Sequence, residues 1–269
     1  ETWAVMPRLH VDGNPCLVSP GVKWDVTPGN FTHCTELFGP VLGVLRARNL
    51  HEAIDLVNAT GYGLTSGLES LDHREHETWQ QSIRAGNLYI NRSTTGAIVL
   101  RQPFGGMGKS VVGPGLKAGG PNYVIPLMAF ENGTASEAEE LPSDPLLAEL
   151  VEAVHLSDIP SRDGKQIVAA IRSYDYWARL EFLQSHDHFR LLGEDNLRRY
   201  LPQARVRIRI HADDTQLEIF ARAAAARAVG SRVIVSSPPG LAGAAAKAVE
   251  LLDGLTDPWA GAIEFVEES

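Results

Sequence analysis

The chain has 269 residues, 44% of them hydrophobic and 21% charged, with a formal net charge of −9 at pH 7. That is a globular composition with enough apolar side chains for one large domain or two of ordinary size. The acidic balance argues against nucleic-acid binding through a basic surface, and no apolar run approaches the roughly 20 residues of an integral membrane segment. Two cysteines, Cys16 and Cys34, make no disulfide framework and point to a reducing cytoplasm. Glu1-Thr2-Trp3 does not look like a translation start or a signal peptide, so the sequence reads as a fragment of a longer chain.

Residues 1–34 are rich in Pro, Gly and aromatic residues, show little periodicity, and read as strands and loops of a larger sheet. Thr35-Glu36-Leu37-Phe38-Gly39-Pro40 leads into a strand-like Val41–Leu45. Asn49 with Glu52 forms a capping box for a helix whose buried face is Ala53, Ile54 and Val57, and Gly61 stops it. Leu64–Leu68 reads as the next strand. Asp72 with Glu75 starts a second helix running to about Ile83, with Gly86 as its stop. Strands alternating with helices indicate an α/β layer with parallel strands. His73 and His76, one turn apart, suit an exposed helical face better than a metal pair, because no further ligands are evident.

Residues 86–110 carry the most information. Leu88 and Ile90 alternate with Asn87, Tyr89 and Asn91 as in a strand, which runs into the small residues Ser93–Ala97 and then Pro103-Phe104-Gly105-Gly106. Small residues let the backbone approach a ligand and leave N–H groups free to face an anion, while Pro103 stiffens the turn. The segment suits a carboxylate or phosphate held on the main chain, or an ordinary Gly-rich surface turn. Gly108-Lys109-Ser110 has the tail of a phosphate loop, but the first glycine of that motif falls on Pro103, which removes a needed N–H.

Asn87–Asn91, Thr94-Thr95-Gly96-Ala97 and Gln102-Pro103-Phe104-Gly105-Gly106 resemble the substrate-anchoring loop of pyrroline-5-carboxylate dehydrogenases. These form the glutamate-semialdehyde branch of the aldehyde dehydrogenase superfamily and occur alone or fused to proline dehydrogenase in proline-utilisation A proteins. The resemblance implies an NAD-dependent oxidation of L-glutamate γ-semialdehyde to L-glutamate. Gly96 and Ala97 would then present main-chain N–H groups to the substrate carboxylate, with Phe104 against its methylenes. Glu-Leu-Phe-Gly-Pro resembles the family segment in which Glu grips the nicotinamide ribose hydroxyls and Phe packs on the ribose and ring. Those roles fall on Glu36 and Phe38, and a carboxylate suits the first because it accepts from both hydroxyls.

The family's nucleophilic cysteine and general-base glutamate lie upstream of that segment, so both are expected before Glu1, and the covered chain alone is expected to be inactive. Cys34, two residues before Glu36, reads as a packed thiol. Gly113–Gly120 is a further turn, and Tyr123–Phe130 reads as an apolar strand. Such a strand is an edge of its own domain or, in the family, one that reaches a partner subunit, which implies a homo-oligomer. FAD is implied only if a proline dehydrogenase module lies upstream. The rival is a non-catalytic assembly module; another acidic aldehyde as substrate is a third possibility.

Residues 131–145 turn acidic and small, a linker composition that separates a first domain, 1–130, from a second, 146–269. Helices are expected over Pro145–His155 and Lys165–Ser185, the latter with Ile167, Ile171, Tyr174 and Ala178 on one stripe and Tyr174, Tyr176, Trp177 and Phe182 as packing residues. His186-Asp187-His188 reads as a loop. Arg205–Ile210 alternates, with its arginines on a solvated or ion-paired face. Ala-rich helices at Thr215–Val229 and Ala242–Asp253 alternate with strands at Val233–Val235 and Ala262–Val266, a βαβαβ run. This half resembles a worn copy of the family's dinucleotide unit and the C-terminal extensions of longer proline-utilisation proteins. Ser236 stands where the family has a lysine against the adenosine ribose, which makes NAD binding there doubtful. The fold class expected is α/β: the C-terminal portion of an aldehyde dehydrogenase catalytic domain followed by a Rossmann-like α/β domain.

Overall fold

The computed structural model describes residues 1–8, 14, 16–113, 115–131 and 140–269. Its α/β chain divides into two compact units, Glu1–Met128 and Ala129–Ser269. Of the expected linker, residues 132–139 lie outside the described residues, as does Pro114 in the turn Gly113–Gly120. Among the described residues no helix is long and apolar enough to cross a membrane.

In the first unit, β1 (Thr2–Val5), β2 (Gly21–Trp24) and β3 (Val41–Gly43) form one sheet, with α1 (Phe31–Cys34) between the last two. Strand β1 runs antiparallel to β2, and β3 runs parallel to it. Helix α2 (Leu50–Ala59) starts at Asn49, whose side chain accepts from the Glu52 N–H, and ends before Gly61 at φ +74°. The Glu52 carboxylate closes on the Arg48 N–H, one residue before the expected box. Ile54 is buried, but Val57 is 43% exposed and does not belong to the buried face.

Next come β4 (Tyr62–Gly63), β5 (Thr65–Leu68), α3 (His73–Ser82), β6 (Asn87–Ile90) and β7 (Met107–Gly108). Strands β5 and β6 are parallel neighbours joined by α3, the βαβ step expected, but β3 pairs with β2 rather than with β5. Asp72 caps α3 by accepting from the Arg74 N–H. The helix ends at Ile83 without help from Gly86, which is glycine for another reason: a Cβ there would lie 1.8 Å from the Gly105 oxygen. Ile54, Trp79 and Ile83 form a small core against which Leu68, Leu88 and Ile90 pack from the strands.

Tyr123–Phe130 is not a strand. Residues Ile125–Leu127 form a 3-10 turn with Pro126 inside it, and a proline has no N–H for a ladder.

The second unit opens with α4 (Pro145–Leu156), capped by Asp144, and α5 (Ser161–Trp177), whose last turn widens into a π turn at Ala178–Phe182. Buried Asp175 ties the two helices together: its carboxylate accepts from the N–H groups of Ser143 and Asp144 and from Arg179. Ile167, Ile171 and Ala178 are buried as a stripe, whereas Tyr176 and Trp177, at 45% and 51% exposed, lie edge to face against each other outside the buried core. His186-Asp187-His188 is not a plain loop, since β8 (Ser185–His186) pairs antiparallel with β9 (Arg198–Arg199).

Strand β10 (Arg205–Arg209), α6 (Gln216–Ala228), β11 (Arg232–Ser237), α7 (Gly243–Leu255) and β12 (Ile263–Glu267) then form a three-stranded parallel sheet in sequential order. Helix α6 begins with a reciprocal Thr215–Glu218 capping box. Alanines of α6 and α7, with Phe220, Leu252 and Trp259, close the core over Ile208, Val233 and Val235. Small side chains let the helices approach the sheet closely.

Candidate functional site

The residues singled out from sequence occupy two places in the first unit. The first is the ledge between α1 and β3. Asn30 caps α1 through the His33 N–H at 3.0 Å, and the chain leaves the helix extended until Phe38, which turns at φ +42°. That turn leaves Phe38 88% exposed. Glu36 and Phe38, with Thr32, Thr35 and Val41, line an open cleft of about 260 Å³. Glu36 also borders a second cleft of about 410 Å³, next to His33, Leu56 and Thr65. Among the described residues nothing donates to the Glu36 carboxylate, so its oxygens face the cleft as free acceptors beside an apolar ring.

Cys34 lies on this ledge, with its Sγ 3.7 Å from His33 Nδ1. The pair is not an activated thiol. The Gly29 N–H donates to His33 Nδ1 at 2.9 Å, which fixes the proton on Nε2, and that nitrogen donates to the Leu56 carbonyl at 2.8 Å. Both ring nitrogens are committed, so His33 has no lone pair to spare as a base.

The second place is the loop after β6. Both faces of that strand are covered: Asn87 and Tyr89 are buried, and Leu88 and Ile90 pack toward Trp79. The simple alternation of polar and apolar residues did not reveal this. The Tyr89 hydroxyl donates to the Gly96 carbonyl at 2.9 Å and fixes the loop from beneath. Gly96 sits at φ +97°, a conformation L side chains resist. Gly96 and Ala97 are exposed, and among the described residues no acceptor takes up their N–H groups. Arg92 covers the Tyr89 ring, and its Nη2 lies 4.0 Å from where a Gly96 Cβ would sit. A positive charge therefore borders two outward-facing amides, an arrangement that suits an anion.

Phe104 is half-buried and held on both sides of its backbone. Its N–H donates to Ala118 O at 2.9 Å, and the Ala118 N–H donates back at 2.8 Å. Gly96, Ala97 and Phe104 thus belong to one loop pinned between β6 and residues 117–119. Glu36 and Phe38 stand apart on their own ledge.

Sequence reasoning missed the residue that clamps this loop. Lys117 Nζ donates to Gly86 O at 2.5 Å, to Gly105 O at 2.8 Å and to Asn87 Oδ1 at 3.3 Å. Asn87 completes the clamp, since its Nδ2 donates to Pro103 O and its Oδ1 accepts from the Gly105 N–H. Burial pushes the Lys117 ammonium down to about 8. A lysine 12 to 31 residues from its partners leaves no periodic signal; only its place in a Gly-rich segment marked it.

The remaining candidates carry no site. Among the described residues, no group of three or more His, Cys, Asp or Glu could hold a metal. His76 instead bonds the Ser70 carbonyl, and His186 the Glu181 carbonyl. In the second unit, the carboxyl end of the parallel sheet is where an α/β fold binds a nucleotide. Here it is filled: buried Ser236 accepts from Arg209 and donates to Glu268, which also pairs with Arg207. Arg207 and Arg209 of β10 are thus ion-paired or hydrogen-bonded.

Residues 7–129 match the family model of the Aldehyde dehydrogenase family. The chain is 39% identical over 215 residues to the Bifunctional protein PutA of Rhizobium meliloti, covering 77% of this chain and 16% of that protein. It is 41% identical over 114 residues to the 1-pyrroline-5-carboxylate dehydrogenase of Geobacillus thermodenitrificans, covering 42% of this chain and 22% of the relative. The solved structure of Proline Utilization A (PutA) from Corynebacterium freiburgense covers all of this chain and 27% of its own, at a TM-score of 0.71 and 32% identity. The chain therefore spans between about a sixth and a quarter of the length of these proteins.

Proposed function

From the match of residues 7–129 to the Aldehyde dehydrogenase family, we propose that the protein carrying this chain is a member of that family that oxidises L-glutamate γ-semialdehyde, formed from pyrroline-5-carboxylate, to L-glutamate with NAD. The observation that carries the reading is the loop after β6: two free amides at Gly96 and Ala97, beside Arg92, with Phe104 pinned to Ala118 further along the same loop. A substrate with a carboxylate at one end and an aldehyde at the other is what such a loop would orient. Relatives named for proline utilisation and for pyrroline-5-carboxylate support the same substrate.

In this reading the amides of Gly96 and Ala97 donate to the substrate carboxylate, and each hydrogen bond to the charged group contributes roughly 1.5–3 kcal/mol. Phe104 covers the methylenes between carboxylate and aldehyde, at about 0.8 kcal/mol for each one buried. Glu36 and Phe38 fit the nicotinamide end of NAD: a free carboxylate for the ribose hydroxyls and an exposed ring to pack on. The cofactor supplies a hydride acceptor. The nucleophilic cysteine and the general base are assigned to sequence outside this chain, because among the described residues neither Cys16 nor Cys34 has an activating partner. The 269 residues alone are therefore expected to be inactive. The protein is further read as a cytoplasmic homo-oligomer, residues 1–130 as part of its catalytic domain and residues 146–269 as a structural Rossmann-like domain.

Gly96→Val in the full-length enzyme tests the reading. A Cβ at Gly96 has open space around it, so the substitution acts through φ +97°, which valine resists, and turns the amides away. The loss in kcat/KM with glutamate semialdehyde should exceed the loss with propanal by one to two orders of magnitude, roughly 1.4–3 kcal/mol. Equal losses on both aldehydes would make the loop structural and remove the carboxylate anchor.

A further inference from the structure

We propose that Lys117 is a positioning residue for substrate recognition: its ammonium locks Gly86, Asn87 and Gly105 into one frame and so holds the Gly96–Phe104 loop in its carboxylate-binding shape. The inference rests on the anchor reading above and adds to it the part that makes the loop rigid. Three oxygens surround Nζ, at 2.5, 2.8 and 3.3 Å, which accounts for all three of its hydrogens. Two of those oxygens belong to Gly86, just before β6, and to Asn87, its first residue, and the third to the segment that follows Phe104. The backbones meet closely here. A Cβ at Gly86 would lie 1.8 Å from Gly105 O, and one at Gly105 would lie 3.1 Å from Lys117 Cα. The next residue after Lys117, Ala118, carries the two-way bridge to Phe104. The clamp and the bridge that holds Phe104 are thus consecutive in one strand-like segment.

The three oxygens that face Nζ, from β6 and from the Gly105 segment, are neutral, and no charged group adds to the burial that lowers its affinity for a proton. At neutral pH the ammonium is intact and donates to all three oxygens. A neutral amine has two hydrogens and a lone pair, so deprotonation breaks one of the three bonds and turns a lone pair toward an oxygen. Burial nevertheless makes the closed frame favour the neutral amine over any state that exposes Lys117, so loss of the proton alone does not open it; what the frame needs is a side chain that donates to Gly86, Asn87 and Gly105. A role confined to stability would not raise KM while leaving kcat in place.

The experiment uses the full-length enzyme and its Lys117→Met and Lys117→Arg variants. Lys117→Met should raise KM for glutamate semialdehyde about ten- to a hundredfold at pH 7, with kcat changed by less than about threefold. Lys117→Arg keeps the charge and the N–H donors and should recover most of that loss. If Lys117→Met does not fold, Lys117→Gln, which keeps two N–H donors without the charge, decides by the same split between KM and kcat. KM for propanal, which has no carboxylate, should change by less than about threefold in each variant. A loss confined to kcat, or an equal rise in KM for propanal, would overturn the inference. Failure of the wild type to turn over glutamate semialdehyde at all would instead remove the anchor reading, and this inference with it.

Discussion

The two units achieve order by different means. The second buries one continuous apolar core, in which Phe220, Leu150, Ile171 and Val233 are fully buried between helices and a parallel sheet. The first has a core of three buried residues, Ile54, Trp79 and Ile83, and leaves Phe31, Phe38 and Val112 largely exposed. Its loops are fixed by directional bonds: Lys117 and Asn87 on the anchor loop, Asn58 on Ser82 O and the Arg84 N–H, Ser110 on the Gly63 N–H. Apolar burial is non-directional and makes a scaffold, whereas hydrogen bonds place individual groups. The proposed ligand-binding residues lie in the unit ordered by the second means.

The largest effect should come from the apolar core. Phe220→Ala removes a fully buried ring and should cost about 3–5 kcal/mol. Residues 140–269 expressed alone should unfold in one cooperative denaturant transition, and that substitution should shift its midpoint without changing the slope. A cost below about 1 kcal/mol would mean that the second unit is not organised around its core.

In the first unit the most damaging change should be a single methyl group. Gly86→Ala places a Cβ on the Gly105 carbonyl and forces the two backbones apart, at about 1–3 kcal/mol or more. The damage should be local: hydrogen exchange should accelerate at residues 93–105 while α2 and α3 keep their protection. Acceleration spread evenly over the unit would show that the clamp is part of a common core after all. A smaller and purely local effect belongs to Thr215→Ala, which removes the hydroxyl that accepts from the Glu218 N–H and should cost about 1 kcal/mol in the thermal unfolding of residues 140–269.

What was legible in the sequence follows the same division. Helix starts were readable because the cap and its partner lie within three residues, as at Asn49 and Asp72, and the βαβαβ run was readable because its periods are long and clean. The glycine at 86 was misread as a helix stop because its constraint comes from Gly105, which is close in space only. Tyr123–Phe130 has the composition of a strand, but Pro126 and the lack of a neighbouring strand in the described chain decide otherwise. Tyr176 and Trp177 were assigned to packing by residue type, which carries no information about the face they take. Gly96, Ala97 and Phe104 were found by family resemblance; the bonds from Tyr89 and Lys117 that hold them were not, since a hydrogen bond between distant residues has no period.

The smallest effect is also the most specific to the comparison, because it gives the first unit a response in an alkaline window where the second has none. Lys117 has an ordinary value of 10.5 and is pushed down to about 8 by burial. Between those values the unfolded chain binds more protons than the folded one, so the first unit should gain stability as pH rises from about 8 toward 10.5. In the second unit the shifted groups are carboxylates and Arg207, which its hydrogen bond to Glu268 holds above its ordinary value. Glu268 is held below its ordinary 4.5 by hydrogen bonds from Arg207 and Ser236, and Glu218 by those from the Thr215 backbone and hydroxyl. Their contribution is complete above 4.5 and is lost as pH falls through the lowered folded values, so it adds nothing in alkali. Hydrogen exchange separates the two units within one sample, and comparison with Lys117→Met cancels the intrinsic pH dependence of exchange. Amides of β6 in the wild type should gain protection relative to the variant across the alkaline window, while those around Phe220 should behave alike in both proteins. Identical behaviour at β6 would show that Lys117 titrates as an ordinary exposed lysine and that the first unit does not depend on a buried ammonium for its order.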